Sequence, residues 1–297
     1  MKKLLITGAW KYSENQYSQL QQAGYDICFA QNEQSELPDE AYEANIVICN
    51  ALFMYHSIER FSKLETIQLI SAGYDRVPMK YIKEHNITIY NARGVYSKPM
   101  AEFAICGVLQ LYKKSRFFLD NQKKHMWVKH RGLGELEDKT VCIVGCGSIG
   151  TECAKCFSVF GCKVIGVGQS ERIQEYFDEV VTVEKLDNTL IDTDILILSI
   201  PLSDDTYHLI DRRRLNLLKK SAVIVNVARG SVMDTDALIE RLPYIGGAVL
   251  DVFEEEPLSP DSELWDLGNV IITPHNSFVG ETNGERLGNL IIKNLSN

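Results

Sequence analysis

Thr140-Val141-Cys142-Ile143-Val144-Gly145-Cys146-Gly147-Ser148-Ile149-Gly150 decides how this chain is read. The first five residues are apolar and mostly β-branched, the pattern of a buried strand. The glycines then fall at the spacing G-x-G-x-x-G, and Thr151-Glu152-Cys153-Ala154-Lys155-Cys156-Phe157 reads as the opening of a helix. Each glycine has its own task in such a turn. Gly145 allows the tight bend, Gly147 lets backbone approach a pyrophosphate, and Gly150 lets the helix pack on the strand. Phosphates then meet the unpaired N–H groups and the positive dipole end of the helix. A second strand-like run, Lys163-Val164-Ile165-Gly166-Val167, completes a strand–helix–strand unit, so the stretch predicts a dinucleotide site.

Downstream of that unit the alternation continues. Strands are expected at Val180–Val183, Asp194–Ile200, Ala222–Val227, Gly247–Val252 and Val270–Thr273. Helices fill most of the gaps, Asp234–Leu242 among them with Asp234 as N-cap. Upstream, strands are expected at Lys3–Gly8, Asp26–Ala30, Asn45–Cys49, Thr66–Ile70 and Ile87–Tyr90, with helices at Glu14–Ala23, Ser57–Leu64 and Pro78–His85. Strands alternating with helices make a parallel sheet covered on its faces. The glycine- and proline-marked stretch Arg93 to Pro99 reads as a crossing between two domains. Met100 to Lys124 reads as one long helix, apolar enough to cross to a partner subunit, and Gly280 to Leu295 as a last amphipathic helix. The fold class expected is α/β, two doubly wound parallel-sheet domains with a cleft between them.

The 297 residues carry 31 Lys and Arg against 40 Asp and Glu, a formal net charge of −9. That balance argues against nucleic acid or an anionic membrane as partner, and an anionic substrate would need a local cationic anchor. No window is long and apolar enough to span a membrane, and the apolar run after Lys2-Lys3 is too short for a signal peptide. Of eight cysteines, Cys28, Cys49, Cys106, Cys142 and Cys162 lie in apolar stretches, as buried free thiols do. Cys153 and Cys156 form a C-x-x-C with no second pair to complete a zinc site. A reduced, cytoplasmic chain without metal is expected.

Ligands of parallel sheets lie beyond the carboxyl ends of the strands. In the first domain this points to Asn50-Ala51-Leu52-Phe53 and Ser71-Ala72-Gly73-Tyr74-Asp75. A dinucleotide domain joined to a second α/β domain suggests hydride transfer. Carbonyl reduction needs a proton donor of near-neutral pKa, for which histidine suits best. A 2-keto acid needs a cation for its carboxylate, and arginine offers a two-pronged fit. A carboxylate beside the histidine would orient it and favour its charged form. Among six histidines, His56, His85, His125, His130 and His208 have no special company. His275 differs, because Thr273-Pro274-His275 ends the last strand of the second domain. Arg229 ends another strand there, and Glu256 follows the strand ending Asp251-Val252.

These motifs in order resemble those of the D-isomer-specific 2-hydroxyacid dehydrogenases over nearly the whole chain. The carriers are Ser71 to Asp75, Pro99-Met100-Ala101-Glu102, Gly145 to Gly150, Ile200-Pro201-Leu202 with Thr206, and Asn226 to Gly230. Asp251-Val252-Phe253 with Glu256-Pro257, and Leu264-Trp265 leading to Thr273-Pro274-His275, complete them. The resemblance implies a flavodoxin-like substrate domain at 1–94 plus 275–297 and a Rossmann cofactor domain at 95–274. It implies an NAD(P)-dependent reductase of small 2-keto acids such as glyoxylate or hydroxypyruvate. His275 would be the acid/base, Glu256 its partner, and Arg229 the anchor of the substrate carboxylate. Ala72, Gly73 and Tyr74 would complete the substrate cradle together with Arg229 and His275. The cofactor would be held by Gly145, Gly147, Ser148, Ile149, Gly150, Gln169, Ser170, Arg172, Ile200, Pro201, Thr206, Val227, Ala228, Arg229, Asp251 and His275. Of these, Asp251 would meet the nicotinamide carboxamide. Such proteins are commonly homodimers through the cofactor domain and the segment 100–135. Two other readings fit the same framework, a nucleotide-sensing corepressor-like binding protein and a phosphite-type oxyacid dehydrogenase.

One position departs from the family pattern. Where NAD users carry an acid for the ribose hydroxyls, this chain has Gly168, followed by Gln169-Ser170-Glu171-Arg172. NADP is therefore expected over NAD, unless Glu171 reaches round to the ribose. Phe53, Tyr55, Tyr74, Tyr96 and Phe278 either crowd the substrate pocket or pack in the core.

Overall fold

A computed structural model describes residues 1–295. In chain order its regular elements begin with β1 (Lys3–Thr7), α1 (Glu14–Gln22), β2 (Asp26–Ala30), β3 (Ile46–Cys49), β4 (Thr66–Leu69), α2 (Met79–Glu84) and β5 (Thr88–Tyr90). Next come α3 (Ser97–Tyr112), α4 (Ser115–Lys123), β6 (Thr140–Val144), α5 (Ser148–Val159), β7 (Lys163–Gly168), β8 (Glu179–Thr182), α6 (Leu186–Ile191) and β9 (Ile195–Leu198). The remainder are α7 (Arg212–Leu217), β10 (Val223–Asn226), α8 (Thr235–Arg241), β11 (Gly247–Leu250), β12 (Val270–Ile272) and α9 (Asn283–Leu295).

The chain divides into two compact units, Met1–Tyr96 with the segment from Gly280 onward, and Ser97–Val279. The first holds a five-stranded sheet in the order β2-β1-β3-β4-β5, all parallel. That is the flavodoxin-like order, with its switch point between β1 and β3. Strand side chains alternate between faces, and the core alternates with them. Leu5, Val47, Cys49, Ile67 and Leu69 build the core on one face. Leu4, Ile6, Ile46 and Ile48 build the other, against Leu287, Ile291 and Leu295 of α9.

The second unit holds a seven-stranded parallel sheet, β12-β11-β10-β9-β6-β7-β8. Its order reverses direction between β6 and β9, which places the glycine turn after β6 at the switch point. All four residues of β9, of β10 and of β11 are buried, which explains their continuous apolar runs. On one face α3 meets the sheet closely, since a Cβ at Gly107 would lie 2.6 Å from the Val249 side chain. Asp234 caps α8 as expected, its carboxylate accepting from the Ala237 N–H.

Some expectations are corrected. The stretch Met100 to Lys124 is two helices, because Lys114 takes a left-handed conformation (φ 53°) between α3 and α4. Beside that break the Lys113 ammonium donates to the Gly134 carbonyl (2.7 Å). Ser57 to Leu64 forms only a 3₁₀ turn, Ile58–Arg60. Cys106 is exposed, while the other four cysteines expected to be buried are so. Asp251 holds the chain from His275 to Ser277, and the second unit runs on to Val279.

Candidate active site

The glycine turn follows from local sterics. Gly145 adopts φ 104°, and a Cβ there would lie 2.6 Å from the Ser199 carbonyl oxygen, so only glycine fits. At Gly150 a Cβ would come within 2.0 Å of the Gly145 carbonyl oxygen, which is how close α5 sits to the end of β6. Ser199, just past β9, donates its hydroxyl to the same carbonyl (2.9 Å) and clamps the turn from the neighbouring strand. Gly147 is different. It is the N-cap of α5, no side chain caps the helix there, and a Cβ on it would meet no atom of the described residues within 4 Å. The turn thus leaves the N–H groups of the first turn of α5, around Ser148, Ile149 and Gly150, without a side-chain acceptor.

Behind the turn, Cys146 is buried, and burial pushes its thiol up to about 11 against the opposing charge of Arg172. Its carbonyl accepts from the Arg172 guanidinium (3.3 Å) and from the Gln174 amide (3.1 Å), and Gln174 also reaches the Thr151 hydroxyl (2.8 Å). These bonds fasten the β7–β8 connection, with Gln169, Ser170 and Arg172, to the glycine turn. Gly168 ends β7, and a Cβ there would lie 4.0 Å from a terminal nitrogen of Arg172. A guanidinium therefore faces the position at which NAD users place a carboxylate. Glu171 is engaged elsewhere, in an ion pair with Lys185 (2.6 Å).

The loop after β9 carries Ile200, Pro201 and Thr206. The Thr206 hydroxyl donates to the Pro201 carbonyl (2.8 Å) and accepts from the Ser203 N–H (2.7 Å), closing the loop on itself. After β10, Asn226 shapes the turn that holds Val227, Ala228 and Arg229. Its side-chain oxygen accepts from the Ala228 N–H (3.1 Å), and its amide donates to the Arg229 carbonyl (3.0 Å). The half-buried Arg229 guanidinium donates to the Ala228 carbonyl (2.7 Å). Since β10, β11 and β12 are neighbours, Arg229, Glu256 and His275 leave three adjacent strands.

Glu256 and His275 meet directly, with 2.8 Å between Oε2 and Nδ1. The second oxygen of Glu256 accepts from the Phe253 N–H (3.1 Å). His275 lies in the left-handed region (φ 51°), an uncommon conformation for a non-glycine residue. Asp251 holds it there. The His275 N–H donates to the Asp251 carbonyl (2.8 Å), while the Asp251 carboxylate accepts from the Thr273 hydroxyl (2.6 Å) and from the N–H groups of Asn276 (2.7 Å) and Ser277 (2.9 Å). Wholly buried and with three donors on its carboxylate, Asp251 fixes the His275 turn. The Phe278 ring stands edge-on to the imidazole, centroids 6.3 Å apart.

In the first unit, the Ser71 to Tyr74 loop is held by its carbonyls. Asn91 donates to the Ala72 carbonyl (2.6 Å) and the Ser71 hydroxyl to the Gly73 carbonyl (3.2 Å). Within a planar trans peptide, N–H and C=O point in opposite directions. The N–H groups of Gly73 and Tyr74 are thereby turned away from Asn91 and Ser71.

Sequence reasoning passed over His208, which does have company. Its Nε2 lies 2.9 Å from Oε2 of Glu254, and Tyr207 stacks on its ring with centroids 4.1 Å apart. Burial pushes the Glu254 carboxyl up, but the Thr235 N–H and His208 outweigh it and hold it below its usual range. Forty-six residues separate the partners, so no local pattern betrays the pair. Among the described residues no group of three or more His, Cys, Asp and Glu side chains is placed to hold a metal, and no helix is long and apolar enough to cross a membrane.

Comparison with known proteins adds the family. Residues 105–277 match the D-isomer specific 2-hydroxyacid dehydrogenase NAD-binding domain. Glyoxylate reductase from Pyrococcus horikoshii is 32% identical over 247 residues, covering 80% of this chain and 74% of that one. The crystal structure of D-lactate dehydrogenase from Aquifex aeolicus, complexed with NAD and lactic acid, superposes with a TM-score of 0.80 at 25% identity, covering 98% of this chain and 94% of that one. A D-isomer specific 2-hydroxyacid dehydrogenase from Xanthobacter autotrophicus, in complex with NADPH and MES, gives a TM-score of 0.80 at 26% identity, covering 99% and 93%.

Proposed function

Because the chain belongs to the D-isomer-specific 2-hydroxyacid dehydrogenases, and is therefore an NAD(P)-dependent oxidoreductase, we propose that it reduces a small 2-keto acid to the D-2-hydroxy acid. Glyoxylate and hydroxypyruvate are the substrates proposed. The observation that carries this reading is the Glu256–His275 contact at the end of β12, beside the turn that holds Arg229.

The cofactor fits the glycine turn. Gly145 and Gly150 are demanded by the protein's own packing, whereas Gly147 is not, so approach of a pyrophosphate is the reason proposed for Gly147. Ser148, Ile149 and Gly150 would offer N–H groups to the phosphates, and Ile200, Pro201, Thr206, Val227 and Ala228 would line the remainder. Asp251 and His275 complete the assignment, Asp251 through the turn it supports. When bound, the reduced nicotinamide supplies the hydride. His275 holds Glu256 through Nδ1, which leaves Nε2 as the atom that gives a proton to the substrate carbonyl oxygen as that hydride arrives. Glu256 fixes the tautomer and ring plane. Arg229 is the anchor for the substrate carboxylate. On the first unit, Ala72, Gly73 and Tyr74 would contribute backbone N–H groups to a carboxylate, the Gly73 and Tyr74 peptides being turned for it by Asn91 and Ser71.

NADP is the cofactor proposed over NAD. Arg172 beside Gly168 suits a 2′-phosphate, and Glu171, the nearest alternative acid, is paired with Lys185. A homodimer is also proposed, through the segment 100–135. Phe118, Met126, Trp127 and Val128 expose apolar surface there and line a groove of about 870 Å³, with Trp127 97% exposed. Eight unpaired thiols suit a reducing compartment, so the location proposed is cytoplasmic.

The test is oxidation of NADPH and NADH, side by side, against a panel of 2-keto acids. Turnover of a small member, faster with NADPH, is expected. His275→Ala should cut kcat by about 10²–10⁴-fold, the usual worth of a positioned acid, while cofactor affinity changes far less. Loss of cofactor binding in that variant, or silence across the panel, would overturn the assignment.

A further inference from the structure

Glu254 joins three loops at the carboxyl end of the seven-stranded sheet. One carboxylate oxygen accepts from the Thr235 N–H (2.9 Å), in the connection after β10. The other meets Nε2 of His208 (2.9 Å), in the loop after β9. Its own backbone lies against the Arg229-Gly230 turn, where a Cβ on Gly230 would stand 2.2 Å from the Glu254 nitrogen. His208 is itself a fixed point. Its N–H donates to the Ser231 carbonyl (2.8 Å), and two residues on Ile210 pairs in parallel with Met233. Neither side chain is a loose surface group, since His208 and Glu254 keep only 30% and 29% of their side chains exposed.

Glu256 lies two residues beyond Glu254. Apart from His275, its carboxylate is oriented by the N–H of Phe253, the residue just before Glu254. Where the 253–256 backbone stands therefore sets where Glu256 stands, and so where His275 points. Glu254 is the group that pins this backbone to both neighbouring loops.

We propose that Glu254, through His208, is a positioning residue for hydride transfer, coupling the loop Pro201–Thr206 to the loop that carries Glu256. The coupling rests on the functional reading above, in which the first loop lines the cofactor and Glu256 orients the acid. Occupation of the first loop then tightens the geometry of the acid through a second imidazole–carboxylate contact, beside the one that does the chemistry. Misplacement by about 1 Å costs on the order of 10²-fold in rate, so a contact remote from the reacting atoms still registers in kcat.

The test uses the full-length protein with Glu254→Ala, Glu254→Gln, His208→Ala and the Ala–Ala double variant. Three quantities are measured: kcat and KM for the keto acid, cofactor dissociation by fluorescence, and the His275 ring resonances by NMR at one fixed pH. Glu254→Ala is expected to lower kcat about 10- to 100-fold with little change in keto-acid KM, and to shift the His275 resonances. Glu254→Gln keeps an acceptor for Thr235 and a donor for a neutral imidazole, and should recover most of the rate. His208→Ala and Glu254→Ala should be non-additive, as partners in one contact are. An unchanged kcat per folded enzyme, unmoved His275 resonances, or additive effects of the two alanines would overturn the proposal. Should Glu254→Ala fail to fold, His208→Ala decides it by the same readouts of kcat and His275 resonances. If the wild type turns over no keto acid, the functional reading falls, while cofactor dissociation and the His275 resonances still decide the coupling.

Discussion

Both sheets of this protein reverse their strand order, and each reversal gathers backbone N–H groups that favour an anion. They treat those donors in opposite ways. In the five-stranded sheet, Glu33 enters from the loop after β2 and fills the point between β1 and β3. Its buried carboxylate accepts from the Thr7 hydroxyl (2.6 Å) and from the N–H groups of Asn50 (2.7 Å) and Ala51 (2.6 Å). In the seven-stranded sheet, Gly147 caps α5 and no side chain reaches its first N–H groups. One switch point is closed by the chain's own carboxylate, and the other leaves its helix N-terminus without a side-chain acceptor, as the proposed phosphate site requires. Topology alone therefore does not leave a crevice open, and one acidic side chain makes that difference here.

The sharpest way to break the contrast is to close the second switch point as the first is closed. Gly147→Asp puts a carboxylate at the N-terminus of α5, in a conformation (φ −81°, ψ −162°) open to any residue and clear of described protein atoms. Cofactor affinity should fall by more than about 100-fold by like-charge repulsion and blockage, with the melting temperature within about 2 °C of wild type. Titration by fluorescence checks it, and retained affinity would mean the phosphates bind elsewhere. The converse experiment opens the first switch point. Glu33→Ala strands two backbone N–H groups and a hydroxyl in a buried place, at about 1–3 kcal/mol for each group left without water or a partner. Relaxation will recover some of this, so a loss of about 3–5 kcal/mol is expected in urea denaturation, partly restored by added formate. A loss below about 1 kcal/mol would show that the plug is dispensable.

This contrast was only half legible in the sequence. The glycine turn could be read because its constraints are local: a positive φ at Gly145 and contact across five residues at Gly150. Glu33 could not, since its partners Thr7 and Asn50 lie 26 and 17 residues away and nothing near it marks a buried acid. The same holds within the site. Arg229, Glu256 and His275 stood out by their places at strand ends, and the family resemblance joined them. The Asp251 clamp and the Glu254–His208 contact depend on folds of the chain that no short pattern records. Local misreadings have local causes too. Ile58, Phe61 and Leu64 are all buried at spacings of three, the period of a 3₁₀ turn rather than of an α-helix. Lys114 takes its left-handed conformation with no glycine or asparagine to announce it.

A smaller change sharpens what the open switch point selects. Gly168→Asp places a carboxylate beside Arg172, so the two should pair and present an acid to the ribose instead of a cation. The expected result is a shift in the NADPH-to-NADH ratio of kcat/KM toward NADH by about 10-fold or more, on the scale of one charged contact. Equal preference before and after would remove Arg172 from the account of cofactor choice.

The smallest effect comes from a half-exposed carboxylate with as many donors as Glu33. Asp187 takes bonds from Nη1 and Nη2 of Arg213 and from Nε of Arg214, and the two guanidinium groups, Arg213 foremost, lower its carboxyl from 3.8 to about 2. Its side chain is 37% exposed, so water and salt screen the attraction. Because the folded-state value lies below the unfolded one, the contribution is fully present above about pH 4 and is lost as pH falls toward 2. Asp187→Asn should therefore cost under about 1 kcal/mol at neutral pH, and its melting curve should converge on that of the wild type in acid. A penalty at neutral pH as large as that of Glu33→Ala would show that donor count, and not burial, sets the worth of a carboxylate here. The two switch points would then differ by less than their geometry implies.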